Sequence, residues 1–558
     1  MDNSSTNISS PFLLLPYRSS SHDFTVTSLL LFHSTHVLVF LFAFLGLFKL
    51  KGNTRNETPN QAPLPPGPTP WPVIGNLPEL WKNKPAFRWI LGLMKQLDTD
   101  IACIRLGNIH VMPVTSPEIA REFLKKHDAV FASRPITMAT DYASRGFLSI
   151  ALVPWGDQWK KMRKLVVSNI ISPQRLSWLL HKRNQEANNL VRFIYNQCIN
   201  NEADISNASV INLRRATRQY TGNVIRRMMF NKRYFGKGQE DGGPGHEEEE
   251  HIESLFTVLM HIYSFILSDY VPWLRPLDLE GHEKIVTEAL RIVNSYHYPI
   301  IDERVQQWRE GKKKEPEDLL DAFILAKDSN GKPAFSVEEI KTQCTELMLA
   351  TVDNPANAAE WAMAEMLNKP EILQKACQEI DSVVGKDRLV QEADIPKLNY
   401  IKACAREAFR LHPIAPFNVP HVSIADATVA GYFIPKGSHV LLSRTGLGQN
   451  PKVWDEPLEF KPERHLKDGL SDKVDLTEPE LRFISFSTGR RGCVGVALGT
   501  EITVMLFARL IQGFTWNVPP NESKIDLSES EDDLFLAKPL HALAKPRLPT
   551  ALYTQLDY

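Results

Sequence analysis

Ten residues near the C-terminus constrain this chain more than any other stretch: Phe486-Ser487-Thr488-Gly489-Arg490-Arg491-Gly492-Cys493-Val494-Gly495, followed by a long apolar run with helical periodicity. Glycines on both sides of a cysteine permit a tight backbone path that a side chain would obstruct. A helix starting just after the cysteine aims free N–H groups and the positive end of its dipole at the sulfur. That setting favours a thiolate. The other five cysteines, Cys103, Cys198, Cys344, Cys377 and Cys404, are scattered, without a C-x-x-C pair or zinc spacing. A disulfide framework is not expected in so long and cysteine-poor a chain. One thiol with a special neighbourhood is.

A structural cysteine in a glycine-rich turn accounts for most lone cysteines, but not for the company Cys493 keeps. A thiolate on a haem iron needs backbone N–H donors to sulfur, close approach of the chain to the macrocycle and shielding from water. Here Arg491 can pair with a haem propionate and Phe486 can pack beside the sulfur. Three further elements agree. Glu407 and Arg410 stand three apart, the spacing at which helical side chains meet. Arg464, in Pro462-Glu463-Arg464-His465, can add a second guanidinium to that pair and complete a buried charge network. Trp159 and Arg163, four apart, can point an indole N–H and a guanidinium at a propionate. Each is weak alone, since a surface ion pair would explain Glu407 and Arg410 equally well. Together they specify a haem-thiolate centre.

The rest of the chain supplies an anchor and a large helical body. Residues 24–48 contain no Asp, Glu, Lys or Arg and are rich in Leu, Phe and Val, enough for a helix to span a bilayer. Lys49, Lys51 and Arg55 follow at once, which places the C-terminal side in the cytosol. A cleaved signal peptide fits less well, because no small-residue cleavage motif follows. Residues 1–23 are then lumenal, with Asn3 and Asn7 in glycosylation sequons. Residues 49–72 form a polar linker and a proline-rich strap, stiffened from Pro63 to Pro72. The catalytic domain is expected over 73–558. Helical periodicity is clear near 117–127, 157–170, 176–200, 248–268, 336–367, 370–383, 398–411 and 496–512, and strand-like pieces lie near 101–114 and 428–442. The patch 236–250, with four consecutive glutamates, reads as a solvated loop. A formal net charge of -1 gives no reason to expect nucleic acid.

From the strap onward these residues resemble the cytochrome P-450 superfamily. The resemblance implies a mainly α fold with a small β-rich lobe, a haem-thiolate monooxygenase prism on a single-pass N-terminal membrane anchor. It also implies one haem b on Cys493, and electrons from NADPH through a flavoprotein reductase. Trp159, Arg163, His421, Phe486 and Arg491 would contact the haem. The anchor implies the endoplasmic-reticulum membrane with a cytosolic body. Lys160, Lys161, Lys164 and Arg490 would face the reductase, although a solvated helix face explains each singly.

One departure is informative. Where the superfamily carries an acid followed by a threonine over the haem, this chain has Asp353-Asn354-Pro355, with Asn357 beyond. A mid-helix proline removes a hydrogen bond and obstructs the carbonyl four residues back. That can open room for water ordered by Asn354 or Asn357. Asp353, Asn354, Pro355 and Asn357 are therefore the expected catalytic segment. This segment, with Trp71–Pro78 and Phe417-Asn418-Val419-Pro420-His421, resembles the plant amino-acid N-monooxygenases that make aldoximes in defence-compound biosynthesis. The resemblance implies two N-hydroxylations of an L-amino acid using O2, then loss of water and CO2. A zwitterion needs a carboxylate partner, for which Arg145 is the expectation. Phe147, Phe417, Asn418 and Phe535 are expected to line an aromatic pocket suited to L-phenylalanine, with tolerance for branched aliphatic side chains. Carbon hydroxylation, or a reductase-independent isomerase or dehydratase, are the rival chemistries. A membrane-held haem sensor is the non-catalytic rival.

Overall fold

The computed structural model describes residues 62–200, 208–466 and 473–555. The expected lumenal segment, membrane anchor and polar linker up to residue 61 lie outside the described residues. The proline strap does not stand apart from the body. Pro66 accepts from the Cys103 amide at 2.8 Å and Pro63 from the Phe433 amide at 2.8 Å. A side chain at Gly67 would run into the Cys103 carbonyl. The strap is thus laid along the sheet lobe, and the compact unit begins at Ala62.

Helices dominate. The longest, Val337–Asn368, starts on a capping box in which Ser336 accepts from the Glu339 amide and Glu339 answers to the Ser336 amide. At 1.5 Å per residue it is about 48 Å long and crosses the core. Helices Leu213–Phe230, Asn399–Leu411 and Val496–Gly513 pack on it. Val496–Gly513 is, among the described residues, the one helix long and apolar enough to cross a membrane. It is buried in the protein core instead.

Sheet is confined to small pieces. Strand Ile109–Val114 pairs antiparallel with Ile104–Leu106 and parallel with His439–Leu442, which in turn pairs with His421–Val422. A second sheet joins Ser209–Asn212, His541–Pro546 and Phe514–Asn517.

Several expectations needed correction. The helical stretch 176–200 is two helices, Pro173–Trp178 and Leu180–Ile199, and the one expected over 248–268 ends at His261. Residues 236–245 of the acidic patch are loop, as expected, but its four glutamates are not. A helix runs from His246 to His261, and Glu248 is buried, accepting from the amides of Phe235, Gly236 and Gly245. Its carboxylate satisfies the free N–H groups of the preceding turn, which a charge count cannot anticipate. Helices Leu213–Phe230 and His282–Arg309 had no counterpart in the sequence reading.

Candidate active site

The cysteine loop is shaped by its neighbours. The Cys493 amide donates to the Phe486 carbonyl at 2.9 Å and the Gly492 amide to the Gly489 carbonyl at 3.0 Å. Gly489 has φ +75°, and a side chain there would meet the Leu124 carbonyl at 2.4 Å, so only glycine fits. The Gly495 amide, at the start of helix Val496–Gly513, donates to the Cys493 Sγ at 3.3 Å. Phe486 lies against Gly499, where a Cβ would come within 3.0 Å of its ring. Burial pushes the Cys493 thiol up, while the Gly495 amide and the charges of Arg163 and Arg444 pull it down. Cys493 is nevertheless the exposed cysteine of the six. Its accessible surface faces a cavity of about 920 Å³.

Four guanidinium groups line that cavity, those of Arg134, Arg163, Arg444 and Arg491. Arg491 donates to the carbonyls of Ala132 at 2.5 Å and Val153 at 2.8 Å. Arg134 reaches those of Val419 and Pro420 at 2.9 and 2.7 Å. Arg163 donates to Gly492 at 2.7 Å, and Trp159 lies beneath Arg491, 4.6 Å from guanidinium carbon to ring centroid. Among the described residues none of the four has a carboxylate partner within ion-pair distance. Burial lowers Arg134 to about 10 and Arg491 to about 9. Unpaired buried cations are costly, and they fit a ligand bearing two carboxylates beside a thiolate-bound metal.

The opposite wall comes from helix Val337–Asn368. Glu346 accepts from the amides of Ile150 and Ala151, each at 3.0 Å, tying the preceding loop to the helix. Thr351, Asp353, Asn354 and Pro355 face the cavity. Asp353 is buried, its Oδ1 has no partner among the described residues, and burial raises its pKa to about 7 against the pull of Arg218 and Arg444. Pro355 sits inside the helix without breaking it. Thr221 donates to the Val352 carbonyl at 2.9 Å, so the neighbouring helix bonds the backbone just before the proline. Asn357 is buried, and among the described residues both its amide atoms lack a partner, one turn beyond the cavity wall.

Some expected residues stand elsewhere. Phe417 and Asn418 line the cavity, and Asn418 Nδ2 donates to Ser487 Oγ at 3.2 Å. Arg145 and Phe147 do not. Arg145 bonds Glu338 and the Tyr298 hydroxyl on the outer face of the long helix, because residues 145–147 all adopt positive φ and turn the loop away. Phe535 lines a smaller neighbouring cleft. His421 is buried behind the wall, donating through Nδ1 to the Phe131 carbonyl at 2.8 Å, and Arg134 takes the wall position expected of it. Sequence reasoning missed Arg134, Arg444 and Glu346. Arginine before proline, in Ser133-Arg134-Pro135, was the one available signal for Arg134.

The supporting network behind the cysteine loop forms as spaced. Arg410 grips Glu407 at 2.8 and 2.7 Å. Arg464 adds a third bond at 2.9 Å and His465 a fourth at 2.8 Å. Burial works against ionisation of Glu407, but the bonds from Arg410 and His465 prevail and hold it at about 2. Of the basic residues expected to face a reductase, Lys160 pairs with Asp157, Lys161 with Glu339 and Arg490 with Asp128.

An accessible thiol with an amide donor, opposed by a buried acid and ringed by unpaired guanidinium groups, defines a haem-thiolate protein. The chain belongs to the cytochrome P450 family, whose description matches residues 65–545. A phenylalanine N-monooxygenase of Arabidopsis thaliana is 61% identical over 93% of this chain and 99% of its own. A tryptophan N-monooxygenase of Prunus mume is 61% identical over 92% and 95%. A tyrosine N-monooxygenase of Sorghum bicolor is 58% identical over 89% and 88%. A zebrafish cytochrome P450 solved with progesterone aligns at TM-score 0.64 over 83% of this chain and all of its own, at 22% identity, which speaks to fold alone. The chain is a haem-thiolate monooxygenase, and its family draws electrons from NADPH through a reductase.

Proposed function

We propose that this enzyme converts an L-amino acid into its aldoxime, with L-phenylalanine preferred and branched aliphatic side chains tolerated. The observation that carries the reading is the cavity wall Asp353-Asn354-Pro355, in a chain whose relatives are named as N-monooxygenases of tryptophan, phenylalanine, isoleucine, tyrosine and valine. Cys493 would hold the haem and Trp159, Arg134, Arg163 and Arg491 would receive its propionates, and the bound group would supply the oxidising chemistry. Each N-hydroxylation places one oxygen atom of O2 on nitrogen and releases the other as water, consuming two electrons. Loss of water and CO2 from the N,N-dihydroxy amino acid leaves the aldoxime.

The chain's own residues prepare the nitrogen. A buried apolar cavity disfavours the ammonium form. Asp353, with a pKa of about 7 and a free Oδ1, accepts the ammonium proton near neutral pH. Pro355 leaves the Thr351 carbonyl without its helical donor, and that carbonyl offers an acceptor to water between Asp353 and Asn354. Asn357, behind the wall, orders the inner end of that water. The aromatic faces of Phe417 and Phe265, edge-on at 6.4 Å, suit a phenyl side chain. An N-terminal anchor holds the body on the cytosolic face of the endoplasmic reticulum, where the exposed Lys160 and Lys164 steer a reductase.

Membranes containing the protein and a reductase, given NADPH and each L-amino acid in turn, test the reading. Phenylacetaldoxime should be the most abundant oxime. An oxime from valine or isoleucine alone would overturn the aromatic preference, and no oxime at all would overturn the reaction.

A further inference from the structure

A second cleft, of about 360 Å³, adjoins the main cavity, and Met260, His261 and Asp533 line both. Its floor is Arg218, on helix Leu213–Phe230. Arg214, Arg218 and Thr221 share one face of that helix. Arg214 bonds Glu360 at 2.9 Å and Thr221 bonds the Val352 carbonyl at 2.9 Å. Arg218 therefore lies between them, opposite the stretch of the long helix that carries Pro355. Its guanidinium is stacked 3.8 Å over the Phe256 ring and 5.7 Å from that of Phe535. Among the described residues it makes no hydrogen bond and no ion pair, unlike Arg214 beside it. Among the described residues Asp533, across the cleft, accepts only from the Phe535 amide at 2.8 Å and stands beyond ion-pair distance of any cation, although its charge reaches Arg218.

One unpaired cation and one unpaired anion in a cleft with aromatic walls form a complement to a zwitterion. We propose that this cleft is a recognition site for the free amino acid, with Arg218 taking the α-carboxylate and Asp533 the α-ammonium before the substrate passes Met260 and His261 into the main cavity. Flat rings hold the guanidinium in place, so little freedom is lost on binding. The pairing rejects amines without a carboxylate and acids without an amine. This rests on the amino-acid reading of the function.

Equilibrium dialysis of the full-length, haem-loaded protein against radiolabelled L-phenylalanine, 2-phenylethylamine and 3-phenylpropanoate tests the site without turnover. Arg218→Gln should weaken L-phenylalanine and 3-phenylpropanoate at least tenfold and leave 2-phenylethylamine within twofold. Arg218→Lys should recover part of the loss. Asp533→Asn should weaken L-phenylalanine and 2-phenylethylamine but not the acid, and it carries the test should Arg218→Gln fail to fold. Carbon monoxide spectra of each variant report intact thiolate ligation. Wild-type binding that neither variant changes, or equal loss of all three ligands, overturns the site alone. A wild-type protein that binds no L-amino acid overturns the functional reading with it.

Discussion

Arg163 donates to the carbonyl oxygen of Gly492 at 2.7 Å, one residue before Cys493, the proposed iron ligand. The bond joins helix Asp157–Asn169 to the cysteine loop and brings a positive charge close enough to lower the Cys493 pKa. Arg163→Met should remove both. Its carbon monoxide complex should then show a larger share of the band typical of a neutral thiol ligand, rising as pH falls. Arg163→Lys should keep the charge and recover part of the thiolate signal.

Glu407 is the hub of four side-chain bonds from three partners. Its pKa in the fold, about 2, lies below the ordinary 4.5, so its stabilisation is complete above the ordinary value. It is lost as pH falls from there through about 2. The shift corresponds to about 3 kcal/mol. Thermal unfolding from pH 6 to pH 3 should show more than half of that loss in the wild type, and Glu407→Gln should flatten it. Breaking a buried pair costs about 3–5 kcal/mol, so the variant should yield little haem-loaded protein.

Asp353 shows the opposite sign. Its folded pKa of about 7 exceeds the ordinary 3.8, so between those values the folded state holds a proton that the unfolded state has released. Stability falls as pH rises through that window. Asp353→Asn should therefore stabilise the protein at pH 8, by up to about 4 kcal/mol, and not at pH 3. It should also abolish an inflection near pH 7 in the rate of oxime formation and lower that rate at least tenfold.

Much of this was written in the sequence, and the omissions have physical reasons. Cys493, Glu407, Arg410, Arg464, Trp159 and Arg163 obey local spacings, and local spacing survives folding. The pocket contacts depend on how distant loops turn. Positive φ at Arg145, Gly146 and Phe147 swings that loop to Glu338, and no pattern of residue types announces it. Helix Leu213–Phe230 escaped notice because five arginines dilute its apolar stripe of Leu213, Ala216, Tyr220, Val224 and Met228. Arg218 was hidden with it.

Pro355→Ala separates stability from function. Restoring the amide donor to the Thr351 carbonyl should raise stability by about 1–3 kcal/mol while closing the gap in the helix. Oxime yield per NADPH consumed should fall severalfold, with the balance appearing as hydrogen peroxide. Unfolding midpoints and NADPH stoichiometry measured on the same preparation check both halves.

The most direct measurement follows the atoms of L-phenylalanine labelled with 15N and with 13C at the carboxyl, turned over under 18O2 with NADPH and reductase. Two N-hydroxylations predict an oxime that retains 15N, carries one 18O and has released its labelled carboxyl as CO2. An 18O-labelled product that keeps its carboxyl group and bears oxygen on carbon would contradict N-hydroxylation and leave only the haem-thiolate monooxygenase.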